Sequence, residues 1–471
     1  MASSSSIVDL HHIHFTGIKG VGMTALALCA QDLGIKVTGS DVQEIFVTDE
    51  TLEKRGITWE VGFSSQNLNL HPDLLITTGA HGGLNNPEVV AARGMGIPVM
   101  THAEALGEFA KGKSTIAVCG VGGKSTTSAM ISTILDSALR NPSFAVGVGD
   151  IFSLGVPGRY DKEGKEFICE ADEFAISPGV DNRPRWSYLL PKVIVVPNVE
   201  HDHPDIYPTF EDTRRVFLEF FNRIPKDGLL VACVDNENVR SLVKQTSVPL
   251  QTYGFSKDAD WRIDSMEIRN QRINCTLIHM GVECKVVLNV PGRFNVLNAT
   301  AAIAVGSFLG LSEEELVQGI NAYTGCKRRI EKVAEKDGVI YYDDYAHYPT
   351  EINAILRALK EWYPDKRIVA VFQPHTYSRT KALFKEFAES FSDANKVVFV
   401  DVFSSARETD TLGVNSELLA EETKKYHEHV YYGGNLRDSA RVIGEISKFG
   451  DIVVTLGAGD VYKMQDLLLN C

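Results

Sequence analysis

No two of the eight cysteines stand close enough to form a C-x-x-C pair; Cys29, Cys119, Cys169, Cys233, Cys275, Cys284, Cys326 and Cys471 are scattered through 471 residues. A chain of this length buries enough apolar surface to do without disulfide staples. The cysteines are read as small buried hydrophobes plus a loose terminus, and a thiolate zinc site is excluded. Long apolar runs are also missing, since none approaches the roughly 18 residues of a membrane span. The start Met1-Ala2-Ser3-Ser4-Ser5-Ser6 has neither the basic nor the apolar stretch of a secretion signal. The expectation is a soluble cytoplasmic protein. Positive charge is in short supply: 47 Lys+Arg against 61 Asp+Glu leave a net charge of −14. Such a surface repels a polyphosphate backbone, which excludes general nucleic-acid binding. Small anions would need local donors: loop amides, helix N-termini and a few placed cations.

What is present is ordinary globular material, 44% hydrophobic and 23% charged, in a length that suits two to four domains at roughly 100–200 residues each. Short strand-like runs alternate with helical-period stretches, as in parallel sheets covered by helices. Examples are Ile13–Phe15, Leu74–Ile76, Thr115–Val118, Val193–Val196, Ile368–Val371, Val397–Val400 and Ile452–Val454. A basic, Gly-containing linker near 107–114 and a basic turn at Gly325–Arg329 divide the chain into three α/β units: 1–108, 109–329 and 330–471. Between Asp258 and Lys285 the pattern turns to alternation, which predicts an antiparallel patch on the central sheet. No repeat at solenoid spacing interrupts this scheme.

Two glycine-rich turns follow strands and open helices. In Gly17-Ile18-Lys19-Gly20-Val21-Gly22-Met23 the glycines allow close backbone approach to a phosphate, and the helix N-terminus offers amides. The next strand ends at Gly39-Ser40-Asp41, where the acid is positioned for a ribose hydroxyl. Gly120-Val121-Gly122-Gly123-Lys124-Ser125-Thr126 is the stronger signal, with loop amides for terminal phosphates, Lys124 for their charge and the Ser125 hydroxyl for Mg²⁺. It lacks the full Walker spacing. Two acidic and histidine clusters lie just beyond strands of the same unit: Glu170-Ala171-Asp172-Glu173 and Asn198-Val199-Glu200-His201-Asp202-His203-Pro204-Asp205. Hard oxygen donors with a histidine suit magnesium rather than zinc. In the last unit, Asp343–Glu351 and Gln373–Thr380 put polar and aromatic residues at strand ends. Taken singly, each also fits a capping box or a buried, hydrogen-bonded histidine.

In their order along the chain these motifs, together with Asn86-Pro87-Glu88-Val89, Pro291–Ala299, Lys327-Arg328-Arg329 and Leu456–Asp460, resemble those of the Mur ligases, ATP-dependent amide-forming enzymes of peptidoglycan precursor synthesis. The resemblance covers essentially the whole chain after the serine start and is greatest with the branch that adds the first amino acid. It implies an α/β, three-domain architecture: a Rossmann-like UDP-sugar domain, a P-loop ATPase domain carrying the antiparallel patch, and a Rossmann-like amino-acid domain. It implies transfer of the ATP γ-phosphoryl group to the lactyl carboxylate of UDP-N-acetylmuramate, then attack on the acyl phosphate by L-alanine or another small amino acid. Carried over by position, Gly17, Gly20 and Gly22 would meet the diphosphate, and Gly120, Val121, Gly122, Gly123, Lys124, Ser125 and Thr126 the ATP phosphates. Ser125 and Glu170 would ligate one magnesium and His203 another, while Asn295 and Asn298 would hold the adenine. Arg329 and Asp344 would reach the nucleotide, and His347, His375 and Arg379 would line the amino-acid pocket. A monomer or weak homodimer is implied, with no nucleic-acid or membrane partner.

The chain departs from the family pattern in several places. Val121 and Gly122 replace the usual Thr-His and Ser125 the usual Thr; Lys19 stands in place of a glycine, as an added phosphate contact or pointing outward. Phe174-Ala175 replaces Ser-Asp after Glu173, and Arg183-Pro184-Arg185-Trp186 lies in a lengthened loop. Thr376 replaces an arginine and Tyr348 a histidine, leaving Arg379 as the main partner for a free carboxylate. The segment Asn198–Tyr207 resembles the branch that recycles a murein tripeptide onto the same sugar nucleotide, which is the alternative activity; a non-ligating nucleotide-sugar-binding relative is the other.

Overall fold

In this computed structural model the described residues are 7–177, 179–203, 206–404, 408 and 410–470. The serine start, Pro204 and Asp205 of the second acidic cluster, and Cys471 lie outside them. The chain forms two compact units: Met1–Glu267 with Asn274–Leu288 and Asn295–Thr324, and Ile268–Ile273 with Asn289–Phe294 and Gly325–Cys471. Helix His102–Ala110 runs straight through the position near 108 where the sequence suggests a boundary, and the residues on both sides of it share the first unit.

The first unit holds two large sheets and a two-stranded antiparallel one, Ala175–Ser177 with Asp181–Pro184. Five parallel strands run in the order Trp59–Val61, Lys36–Asp41, His12–Thr16, Leu74–Thr77, Val99–Thr101. Chain order reverses between His12–Thr16 and Leu74–Thr77, and the first glycine-rich turn leaves the carboxyl end of the former, the place where parallel sheets bind ligands. The second sheet has ten strands. In its middle Ser114–Val118 lies between Pro191–Val196 and Glu166–Glu170, all parallel. The turns after these three neighbouring strands are the second glycine-rich loop and the two acidic clusters, so sheet order brings together motifs far apart in the chain. One edge continues through Trp261–Arg269, Arg272–His279 and Val282–Leu288. The last two are joined by a two-residue turn, Met280-Gly281, with φ of 52° and 80°, which matches the hairpin expected there.

Contacts between the two sheets of this unit are close. A Cβ on Gly158 would lie 2.2 Å from the Ala25 carbonyl oxygen, so the edge strand Gly158–Arg159 packs directly on helix Val21–Asp32. The Cys29 thiol donates to the Phe144 carbonyl, and one hydrophobic core runs from Phe15 and Leu26 through Phe167 to Val196. The seven described cysteines are all buried and free of disulfides.

The second unit has six strands in the order Glu331–Lys336, Val339–Asp344, Ile452–Leu456, Ile368–Phe372, Lys396–Val400, Val430–Gly434. Only the first, an edge strand, is antiparallel to its neighbour. Every residue of Ile368–Phe372 and Ile452–Leu456 is buried, as expected for central strands covered on both faces. Helix Pro349–Trp362 begins with Pro at a first-turn position and buries Ile352, Ile355, Leu356 and Leu359, a stripe at helical spacing.

Candidate functional site

The first glycine-rich turn is shaped for close approach. Gly17 has φ of 77°, and a Cβ there would lie 2.5 Å from Thr78 Cγ2; a Cβ on Gly22 would lie 2.9 Å from His102 Nε2. Helix Val21–Asp32 has no side-chain cap at Gly20, leaving its first amides available to an anion. Two sequence expectations are corrected here. Lys19 neither points outward nor enters the phosphate site: it is 1% exposed and donates to the Glu44 carbonyl. Its ammonium lies 3.5 Å from Asp49 and over the rings of Phe46 and Trp59. Asp41, expected at a ribose, is buried and spends its carboxylate on the backbone amides of Lys19 and Val42, each at 2.8 Å. Both residues shape the loop rather than face the ligand.

Next to this turn is a cavity of about 200 Å³ lined by Gly20, Gly22, Thr78, His102, Ser177 and Arg185 among others. Burial, reinforced by the Arg185 charge, lowers the His102 pKa to about 4, so this imidazole is neutral at pH 7.

At the second turn, Asn198 holds the loop. Its Oδ1 accepts from the Val121 and Gly122 amides at 2.9 Å each, and its Nδ2 donates to the Gly122 carbonyl at 2.9 Å. Gly120 and Gly123 have positive φ, 104° and 85°, and a Cβ on Gly120 would lie 2.5 Å from the Asn198 carbonyl oxygen. Helix Lys124–Ser137 then starts with Ser125 and Thr126 buried in its first turn. Asn298 sits beneath it, accepting from Thr127 Oγ1 at 3.2 Å and donating to Asn295 Oδ1 at 3.1 Å.

The Lys124 ammonium donates to the Gly120 carbonyl and lies 3.6 Å from Glu173. Burial opposes its charge, but Glu173, Asp172, Glu170 and Asp202 outweigh burial and hold its pKa above the ordinary value. Glu173 is the unusual acid. It is 2% exposed, and neither carboxylate oxygen has a hydrogen-bond partner. Burial raises its pKa to about 7, with the Lys124 charge opposing. Asp172 goes the other way, to about 2: against the cost of burial, the Arg185 guanidinium at 2.9 Å and then Lys124 favour its ionised form.

Asp172, Glu173 and His203 offer ligand atoms within 4.8 Å of one another, and the unsatisfied Glu173 oxygens are the clearest sign that a cation belongs there. Two carboxylates and an imidazole fit a divalent ion. Of the sequence-assigned ligands, His203 joins this group, whereas Glu170 accepts from the Gly147 amide at 2.6 Å. Sequence reasoning did not assign Asp172 or Glu173, although both lie in the acidic run it singled out.

In the second unit, His347, His375 and Arg379 come together. The two imidazole rings are 6.3 Å apart, and Arg379 donates to the His375 carbonyl at 2.9 Å while lying over the Tyr348 ring at 4.6 Å. Burial, then His347 and Arg379, lower the His375 pKa to about 4. Thr376, in place of an arginine, pairs with Ser378, and Glu408 accepts from the Tyr377 amide at 2.6 Å. Asp344 accepts from the Ile330 and Ala346 amides at 2.7 Å each; burial raises its pKa to about 7, with Arg329 opposing. Arg328 was missed as a structural residue: it is 8% exposed, donates to Asp343 at 3.0 Å and to the Gly457 and Gly459 carbonyls, and so ties two strand ends together.

Three family models match the chain in succession: "Mur ligase family, catalytic domain" over residues 12–114, "Mur ligase middle domain" over 118–306 and "Mur ligase, glutamate ligase domain" over 328–459. A UDP-N-acetylmuramate–L-alanine ligase of Treponema pallidum is 37% identical, covering 97% of this chain and 96% of that protein. One from Carboxydothermus hydrogenoformans is 38% identical with coverage of 97% and 96%. Among solved structures, the UDP-N-acetylmuramate–alanine ligase of Thermotoga maritima superposes with a TM-score of 0.81 at 26% identity, covering 98% of both chains. A murein peptide ligase from Psychrobacter arcticus shares the fold, with a TM-score of 0.70 at 23% identity and 98% coverage of both chains.

Proposed function

The chain belongs to the Mur ligase family, and we propose that within it the protein joins the lactyl carboxylate of UDP-N-acetylmuramate to the amine of L-alanine, at the expense of ATP, in peptidoglycan precursor synthesis. The observation that carries this reading is the convergence, in one compact unit, of an anion-binding glycine turn with its cavity and a P-loop lysine 3.6 Å from a buried, unsatisfied carboxylate. Residues 1–108 take the sugar nucleotide, 109–329 the ATP and 330–471 the amino acid.

A carboxylate is a poor acyl donor, so it is first phosphorylated by ATP. The Gly123 and Lys124 amides face the phosphates once Val121 and Gly122 are held by Asn198, and the Lys124 ammonium neutralises the charge that develops on the transferred group. Asp172, Glu173 and His203, with Ser125 at the start of helix Lys124–Ser137 and Glu170 at the end of strand Glu166–Glu170, are the residues that would hold Mg²⁺, which would supply further neutralisation of the phosphates when bound. The amine of the amino acid then attacks the acyl phosphate and phosphate departs. His347, His375 and Arg379 line the amino-acid pocket; with Thr376 where an arginine is usual, Arg379 is the guanidinium for the substrate carboxylate. The enzyme works in the cytoplasm, where its nucleotide substrates are.

The test is ADP release measured with UDP-N-acetylmuramate and, in turn, L-alanine, glycine, L-serine and a murein tripeptide. Release should require the sugar nucleotide and be fastest with L-alanine. Release independent of the sugar nucleotide, or fastest with the tripeptide, overturns the assignment.

A further inference from the structure

The cavity beside the first glycine turn has one permanently charged group among its lining residues, Arg185. This arginine belongs to the lengthened loop where the sequence leaves the family pattern, so the resemblance assigns it no role. Its backbone is well fixed. The Arg185 amide donates to the Phe174 carbonyl at 3.0 Å. The next residue, Trp186, is 2% exposed and stacks on Phe220 with ring centres 4.4 Å apart. The guanidinium lies over Phe174 at 5.4 Å and donates at 2.9 Å to Asp172, next in sequence to Glu173, which faces Lys124. On the other side stands Gly79, just beyond strand Leu74–Thr77: a Cβ there would lie 3.7 Å from the Arg185 guanidinium, and no side chain intervenes. Arg185 therefore reaches from the cavity that the sugar nucleotide enters to the acids beside the phosphoryl-transfer lysine.

We propose that Arg185 binds the lactyl carboxylate of the sugar nucleotide and presents it toward Lys124, exchanging the Asp172 carboxylate for that of the substrate. The proposal rests on the function assigned above. Its chemistry is already displayed within the protein, where the planar guanidinium holds a carboxylate, that of Asp172; only one of its five N–H donors is needed for that bond. A diphosphate has other donors, the free amides at the start of helix Val21–Asp32, so the guanidinium is left for the other anionic end of the same substrate. His102, neutral in the same wall, adds no competing charge.

The experiment compares binding of UDP-N-acetylmuramate and UDP-N-acetylglucosamine, which lacks the lactyl group, by isothermal titration calorimetry in the wild type, Arg185→Ala and Arg185→Lys. In the wild type the lactyl compound should bind at least tenfold more tightly. Arg185→Ala should abolish that preference, leave UDP-N-acetylglucosamine and ADP affinities within about twofold, and raise KM for UDP-N-acetylmuramate. Arg185→Lys, which keeps the charge and most of the packing, should restore part of the preference. A preference that survives in Arg185→Ala overturns the proposal. Equal losses for both sugar nucleotides also overturn it, by placing the guanidinium on the diphosphate. A wild type that binds neither compound would instead sink the functional reading on which the proposal rests.

Discussion

The Lys124 ammonium stands 3.6 Å from the Glu173 carboxylate, and the two residues depend on each other: the acid keeps the lysine charged, and the lysine is the nearest cation to an acid whose oxygens have no hydrogen bond. Lys124→Ala should lower the rate of ATP-dependent ligation roughly 10³-fold, the range for loss of one charge-stabilising donor, while UDP-N-acetylmuramate still binds. Glu173→Gln should be as inactive, yet melt no earlier than the wild type, because it removes a buried charge that folding disfavours. Steady-state kinetics with thermal melts on both variants check this; an active Glu173→Gln would refute it.

Asn198 makes three hydrogen bonds to the Val121–Gly122 backbone. Asn198→Ala leaves two amides and a carbonyl without these partners, at a cost of about 2 kcal/mol. It should raise the KM for ATP roughly tenfold through a loosened loop, with no change in sugar-nucleotide affinity. Calorimetric titration of ADP and of UDP-N-acetylmuramate separates the two effects.

Lys19 is a buried cation tied to Glu44, Asp49, Phe46 and Trp59. Lys19→Gly, the residue usual in the family, should destabilise the protein by about 3 kcal/mol, since it strands Asp49; Lys19→Met, which keeps the apolar stem, should cost less. Urea unfolding reads both. A phosphate-binding lysine would behave differently: Lys19→Met would then lose UDP-N-acetylmuramate affinity, whereas the buried geometry predicts a change of less than about threefold.

His102 and His375 have folded-state pKa values of about 4, below the ordinary 6.5 or so of an unfolded chain. Between those limits the unfolded chain binds more protons, so stability falls as pH drops from about 6.5 toward 4, by up to roughly 3 kcal/mol for each imidazole. His102→Gln should flatten this slope over that window and leave it unaltered above pH 7. Chemical denaturation at pH 5.0, 6.0 and 7.5 measures it, and an unchanged slope would show that His102 does not contribute.

The motifs legible in the sequence were those whose chemistry is local. A strand, a turn with glycines at positive φ and a helix form within about ten residues, which is why both glycine-rich turns were readable; that His347, His375 and Arg379 share a site followed only from the resemblance, since the two histidines come after different strands. Arg185 and Arg328 were not assigned, because their partners, Asp172 at 13 residues' distance and Gly457 and Gly459 at about 130, become neighbours only when strands line up. The two misread directions have one cause. Lys19 sits in the first glycine-rich turn and Asp41 at the end of the neighbouring strand, but a side chain's direction depends on what packs around it: Phe46, Asp49 and Trp59 for Lys19, the Lys19 and Val42 amides for Asp41.

By itself the amino-acid sequence determined the family, through the order of its motifs, and the α/β class and the two glycine-rich turns, since hydrophobic period and glycine sterics act over short stretches. Only the tertiary structure decided that Asp172, Glu173 and His203 lie together and where Arg185 reaches. Those depend on Ser114–Val118 lying between Glu166–Glu170 and Pro191–Val196, an order set by the packing of whole strands and helices rather than by the preferences of any one segment.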